Sequence, residues 1–198
     1  MRLSRDFFAQ DTLIIVRLLL GKRLVRRLNG QRLAGRIVEA EAYIGSDDKG
    51  CHASVGRTQR NEAMYGPPGH TYVYFTYGMH WMLNIVTEAE GFPAAVLIRA
   101  LEPLEGIAAM VCNRRGRSRF ELCSGPARLA QALGITRTLN GVDLCLRRGA
   151  ELWLEDAPRV PDDDVVTGPR IGLNNTPEPW KSMPWRFYAR GNAFVSKS

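Results

Sequence analysis

Asn29-Gly30 stands between two runs, KRLVRRL and QRLAGRIVEAEAY. Both runs have strand-like apolar spacing, and Asn-Gly supplies the two positive-φ residues of a tight type I′ turn. An antiparallel β-hairpin is therefore fixed early in the chain, and its second strand ends in VEAEAY, Val38 to Tyr43. As a strand this stretch alternates, with Val38, Ala40 and Ala42 on one face and Glu39, Glu41 and Tyr43 on the other. Strand neighbours two apart stand roughly 6.5–7 Å from each other on the same side. Paired carboxylates in glycoside chemistry flank the sugar from opposite sides. Glu39 and Glu41 are thus not an opposed acid–base pair, and at most one of them does chemistry. The pattern by itself reads first as a solvated face and second as the seat of a catalytic Glu.

Around the hairpin the chain mixes helices and strands without a regular βαβ order. DTLIIVRLLLG reads as a helix capped by Asp11 or Thr12 and stopped at Gly21. Ile44 to Pro68 lacks periodicity, and a segment that long in a compact domain suggests a functional loop. HTYVYFTYGMHWMLNIV predicts a strand to Thr76 or Tyr77, a turn near Gly78 and a second strand to Val86. PAAVLIRAL predicts a strand leading into a helix, with Glu102 near the cap, Pro103 in the first turn and an end near Cys112. SGPARLAQALG predicts a short helix capped by Ser124, while VDLCL and AELWLE predict strands. Pro158 to Asn175 reads as turns, and WRFYARGNAFVS as a closing strand and turn. The expected fold is α+β, one domain over residues 1–198, with a curved and mostly antiparallel sheet.

Charge narrows the partner. The 198 residues carry a formal charge of +7, and 23 of the 27 basic residues are Arg. Arg forks bind phosphate bidentately, so the excess points toward a polyanion. Arg57 and Arg60 lie in the long loop, Arg114 to Arg119 holds four Arg in six residues, and Arg128 follows the Ser124-Gly125-Pro126 helix start, a candidate phosphate seat. Four Cys at irregular spacing form no CxxC pair, and three scattered His complete no zinc pattern, so free thiols in a reducing cytoplasm are expected. The longest apolar run, Leu13 to Leu20, is interrupted by Arg17 and too short to span a bilayer. Neither it nor the N-terminus reads as a signal peptide or a membrane segment.

Tyr72 and Tyr74 share one strand face, either as packed core or as a stacking surface for bases. Tyr77, followed by Gly78 and Met79 at a hairpin tip, is poorly placed for a core and suits a wedge between base pairs.

Taken together, GRIVEAEAYIG, CHAS, RTQRN, TYVYFTYGMHWMLNIV, VLIRALEPLEG, CSGPARLAQALGI and RFYARG resemble the alkyladenine (3-methyladenine) DNA glycosylase family, in order from about Leu3 almost to the C-terminus. The resemblance implies a monofunctional base-excision repair enzyme that flips a damaged purine from double-stranded DNA and hydrolyses its N-glycosidic bond. It also implies a monomer, no metal or organic cofactor, and a protruding β-hairpin that inserts into DNA. By position, Glu41 matches the base that activates water, and Arg99 a residue near the water and target phosphate. Tyr43, His52, Tyr74 and Asn84 match the pocket for the flipped base, Asn84 by crowding the exocyclic amine of guanine. Tyr77 matches the inserting residue, with Met79 beside it at the tip. Arg60 and Arg128 match phosphate contacts.

The residues fit such chemistry: a carboxylate stabilises an oxocarbenium-like state and orients water. Glycosylases that also cut the strand use an amine nucleophile, and no Lys lies in Glu41–Tyr43 or Tyr72–Asn84; Lys49, in the loop, reads as a bystander. A non-catalytic nucleic-acid-binding domain is the alternative from another class, and a hydrolase of free nucleosides is a third.

Overall fold

A computed structural model describes residues 1–196. Four helices, α1 (Arg5–Phe8), α2 (Thr12–Leu19), α3 (Ile107–Asn113) and α4 (Pro126–Ala132), surround one sheet. Its strands are β1 (Arg23–Leu28), β2 (Gln31–Ile44), β3 (Thr71–Thr76), β4 (His80–Val86), β5 (Ala94–Glu105), β6 (Leu152–Glu155), β7 (Val165–Gly168) and β8 (Arg186–Ala189). The order across the sheet is β3-β4-β5-β2-β1-β6, and β8 joins the far half of β2 and carries β7. The pairings between these strands are antiparallel, and the sheet is open and curved.

Local chemistry sets the early elements. Asn29 and Gly30 take φ of 51° and 77°, the turn that the hairpin demands. Asp11 caps α2 by accepting from the Leu13 and Ile14 amides, which have no helical partner. Ile15, Val16 and Leu19 of α2 and Leu129 and Ala130 of α4 pack on Ile37, Ala40, Leu83, Ile85 and Ile98 of the sheet. Burying each aliphatic side chain contributes roughly 1.5–3 kcal/mol.

The curvature comes from β2 and β5. Their register shifts between Ile37 and Glu39 and again between Glu39 and Ala40. Val38 is left without a partner on β2 and Arg99 without one on β5. Bulges of this kind bend a strand and redirect a side chain. Strict alternation is broken as a result: Val38 packs with Ala100, Ala189 and Phe194, whereas Ala40 and Ala42 join the main core.

Four expectations are corrected. Glu102 and Pro103 do not start a helix; β5 continues through them to Glu105, and α3 is capped by Gly106. Pro103 pairs with Gly35 at another register shift, a place where a missing N–H is tolerated. Ser124 is not the cap of α4. Gly125 is, at φ 149°, ψ 149°, backbone that favours glycine. VDLCL is no strand, because Asp143 bonds its own neighbour, the Cys145 amide (2.8 Å), and pairs with Arg5 (2.6 Å). Such local side-chain bonds compete with a ladder. The turn-rich stretch from Pro158 contains β7, whose partner β8 lies about twenty residues on and leaves no local signal. No helix among the described residues is long and apolar enough to cross a membrane.

Candidate active site

The register lines up one row of residues across five strands. Tyr72 of β3 lies opposite Asn84 of β4, Asn84 opposite Leu97 of β5, Leu97 opposite Glu41 of β2, and Glu41 opposite Arg186 of β8. Above the first three of these opens a cavity of about 370 Å³. Its wall includes Tyr43, His52, Tyr74, Asn84, Tyr77 and Arg99, so six residues separated by up to 56 positions in the chain converge here. The size and the mixture of aromatic walls with a few polar groups suit a small planar ligand.

Glu41 sits directly behind this wall and is wholly buried, as is Glu39. The solvated reading of the Glu face is therefore wrong: β8, the segment after β7 and the C-terminal residues cover it. Glu41 Oε1 faces Arg99 Nη1 at 3.1 Å and accepts from the Ile171 amide at 2.7 Å. Oε2 accepts from the Tyr43 hydroxyl at 2.9 Å. Burial pushes the Glu41 carboxyl above its ordinary range; the Arg99 charge and the two donors pull it back, and the Glu39 charge adds a smaller upward push. Burial and the Glu41 charge keep the Tyr43 phenol well above its usual value, so it remains a donor.

Glu39 plays a different part. Arg99 Nε (2.9 Å), Arg186 Nε (2.7 Å), and the Ser196 amide (2.7 Å) and hydroxyl (2.8 Å) all donate to it. Two carboxylates and two guanidiniums thus form a compensated buried cluster, the condition for keeping charge out of water. Arg99, freed by its bulge, spans both carboxylates.

On the aromatic side, His52 Nδ1 and the Tyr72 hydroxyl hydrogen bond at 2.8 Å, and His52 meets Tyr74 edge-on with ring centroids 4.5 Å apart. Burial, helped by Arg60, lowers the His52 pKa, so the ring is neutral at pH 7. Burial pushes the Tyr74 phenol up to about 12. The Asn84 amide nitrogen donates to the Tyr72 carbonyl (2.9 Å), which leaves its oxygen uncommitted. Tyr77, at φ 52° and 79% exposed, stands at the β3–β4 turn.

The remaining expected residues lie outside the cavity. Met79 is exposed and borders a separate groove with His80 and Trp81. Arg60 lies 5.8 Å from the Tyr74 ring centre and donates to the Phe75 carbonyl. Arg128 is exposed and bonds the Ser124 hydroxyl at 3.1 Å. Sequence reasoning missed Ile171, Gly172 and Leu173, which close one side of the cavity, and Arg170 before them. Arg170 is one Arg among 23, in a stretch with no periodicity to mark it. Among the described residues no three His, Cys, Asp or Glu side chains gather as a metal-holding group.

The profile of the methylpurine-DNA glycosylases matches residues 6–193. This chain belongs to that family. Among its relatives, a "Putative 3-methyladenine DNA glycosylase" of Methanocella arvoryzae is 52% identical over 98% of this chain and 96% of its own. One of the same name from Carboxydothermus hydrogenoformans is 50% identical over all of both chains. A third, from Chlorobaculum parvum, is 48% identical over 98% of this chain and 90% of its own. Membership makes this methylpurine-DNA glycosylase a hydrolase of base-excision repair that acts on DNA. The cavity and the Glu39–Glu41–Arg99 cluster are the features of the glycosylase that such chemistry can use.

Proposed function

We propose that the glycosylase, acting as a monomer on double-stranded DNA, takes a damaged purine nucleotide out of the duplex into this cavity and hydrolyses its N-glycosidic bond. The substrates are alkylated or deaminated purines of the 3-methyladenine, 7-methylguanine, hypoxanthine and etheno-adenine class. The single observation that carries this reading is the state of Glu41. It is a buried carboxylate behind the cavity wall, with Oε1 accepting from the Ile171 amide and ion-paired to Arg99, and Oε2 accepting from one donor, the Tyr43 hydroxyl.

Oε2 therefore keeps a lone pair for a water proton. The water oxygen bonds to C1′ as the C1′–N bond breaks. The bonding pair leaves with the base and the proton goes to Oε2. Negative charge at Glu41 also stabilises the oxocarbenium-like state between these events. A cationic leaving base such as 3-methyladenine departs neutral and needs no acid, whereas a neutral lesion such as hypoxanthine needs protonation or hydrogen bonds to the departing ring. Tyr43, His52 and Tyr74 give the base its aromatic surroundings, and the Asn84 oxygen discriminates at its edge. Tyr77, with Met79, fills the gap left in the duplex, offsetting a flipping cost of a few kcal/mol. Arg60 and Arg128 hold phosphates. Among the described residues the wall offers no lysine to form a Schiff base, and the expected product is an intact strand with an abasic site.

The test is base release from separate duplexes, each carrying one lesion, by the wild type and Glu41→Gln. The variant is expected to bind the duplex and release no base. Near-normal release by it, or binding of every duplex without turnover by the wild type, overturns the reading.

A further inference from the structure

Among the described residues, Arg170 is the most heavily engaged buried cation outside the Glu39–Glu41 cluster. Its side chain and that of Asp48 are both fully buried, and Nη1 and Nη2 grip the two carboxylate oxygens at 2.5 and 2.8 Å. The same two nitrogens also donate to the carbonyls of Ala42 (3.0 Å) and Trp180 (3.1 Å). The guanidinium carbon lies over two rings, 4.7 Å from the centre of Tyr43 and 4.9 Å from that of Trp185. Asp48 is fixed in turn by the amides of Ile44 and Gly50. Gly50 has no room for a side chain, since a Cβ there would lie 2.9 Å from Arg170 Nη2.

This clamp does not line the cavity, yet both uncharged donors to Glu41 depend on it. One is the amide of Ile171, the residue next in the chain. The other is the hydroxyl of Tyr43, whose ring carries the guanidinium. We infer that Arg170 is a positioning residue for the glycosidic hydrolysis: locked on Asp48, it aims the Ile171 amide and the Tyr43 hydroxyl at the Glu41 carboxylate and so keeps that buried group ionised. Lys cannot replace it, because an ammonium has neither the fork nor the flat face. The inference rests on Glu41 being the base.

A residue that only anchors the segment lowers stability and leaves the titration of Glu41 alone. A positioning residue moves that titration. The experiment is single-turnover base release from alkylated duplex DNA, whose leaving bases are cationic, so that the acid limb of the pH profile reports Glu41. Wild type, Glu41→Gln, Arg170→Lys and Asp48→Asn are compared below their melting temperatures. Arg170→Lys is expected to slow release at neutral pH about tenfold and to move the acid limb up by about one pH unit. Its affinity for the lesion duplex is expected to stay unchanged. Asp48→Asn weakens the lock on the guanidinium but keeps its carbonyl bonds, so it is expected to move the limb in the same direction by less.

A limb that stays in place in Arg170→Lys, with Glu41→Gln inactive, overturns the role of Arg170 and leaves the base reading standing. Turnover by Glu41→Gln removes both. If Arg170→Lys does not fold, Asp48→Asn/Arg170→Gln exchanges the ion pair for an uncharged one and carries the same expectation. An unmoved limb in that double variant likewise overturns the inference.

Discussion

Arg99 reaches Glu41 from the unpaired position of a bulge in β5, with Nη1 3.1 Å from the carboxylate oxygen Oε1. The contact opposes burial, which drives the Glu41 carboxyl toward its neutral form. A base must be ionised, so release should decline as pH falls through the Glu41 pKa, at a value above the ordinary 4.5. Arg99→Met removes the largest opposing influence and should move this acid limb to higher pH. Arg99→Lys should fall between the two. The variants also leave buried carboxylates under-paired, at a cost of about 3–5 kcal/mol for a broken buried pair, so each profile belongs with a melting curve. A limb fixed at the wild-type pH in Arg99→Met would show that Arg99 does not control the ionisation.

Glu41→Gln gives a prediction about stability as well as turnover. A carboxyl whose folded pKa lies above its unfolded value holds its proton more tightly when folded. Its contribution to stability is complete below about pH 4.5 and is lost as pH rises through the folded pKa. Gln does not titrate. The melting temperature of the wild type minus that of Glu41→Gln should therefore fall as pH rises from 4.5 and level off above the folded pKa. A difference that grows with pH across this range would mean the folded pKa is depressed. Thermal melts at several pH values decide the sign.

How much of this was legible in the sequence depends on how far each cause lies along the chain. The Asn29-Gly30 hairpin and the Asp11 cap were readable because turn and cap chemistry are complete within a few residues. Pro103 misled, since the Gly35 bulge that accommodates it is far away in sequence. Glu39 and Glu41 sit in an alternating stretch that any solvated strand could show. What buries them is Arg186, Ile171 and Ser196, at least 130 positions later. Only the family resemblance singled out Glu41, and nothing local separated Glu39, which holds Arg99 and Arg186, from a surface carboxylate. Tyr77 was readable from its place before Gly78, and its left-handed φ agrees with a turn tip.

That φ makes Tyr77 a case where stability and function oppose each other. A non-glycine residue in the left-handed region costs roughly 1–2 kcal/mol, and a side chain 79% exposed regains little of it by packing. Tyr77→Gly should melt at the same temperature as the wild type or higher. If Tyr77 stacks in the vacated gap, the variant should lose roughly 1–3 kcal/mol of affinity for lesion duplex, the range for base–aromatic stacking. Melts and equilibrium binding to lesion and undamaged duplex are both needed. Unchanged lesion affinity would remove the insertion role while leaving the stability prediction intact.

Arg60 and Arg128 make a separable electrostatic prediction. Both are exposed, and their bonds within the protein, to the Phe75 carbonyl and to Ser124, go to uncharged groups. Their positive charge is thus free to meet a phosphate. Binding of duplex DNA releases condensed counterions, and each phosphate neutralised steepens log K against log salt by about 0.9. Arg60→Ala and Arg128→Ala should each flatten the slope by about that amount, and Arg128→Ala should weaken lesion and undamaged duplex equally, because a phosphate carries no information about the base. Single-turnover release at saturating enzyme should be unchanged in Arg128→Ala. Arg60 lies over the Tyr74 ring as well, so its variant should lose some lesion preference in addition to slope. Titrations of both duplexes at several salt concentrations separate these effects: a wild-type slope in either variant removes that Arg from the phosphate-binding set, and a slope change confined to lesion duplex would assign it to the base pocket instead.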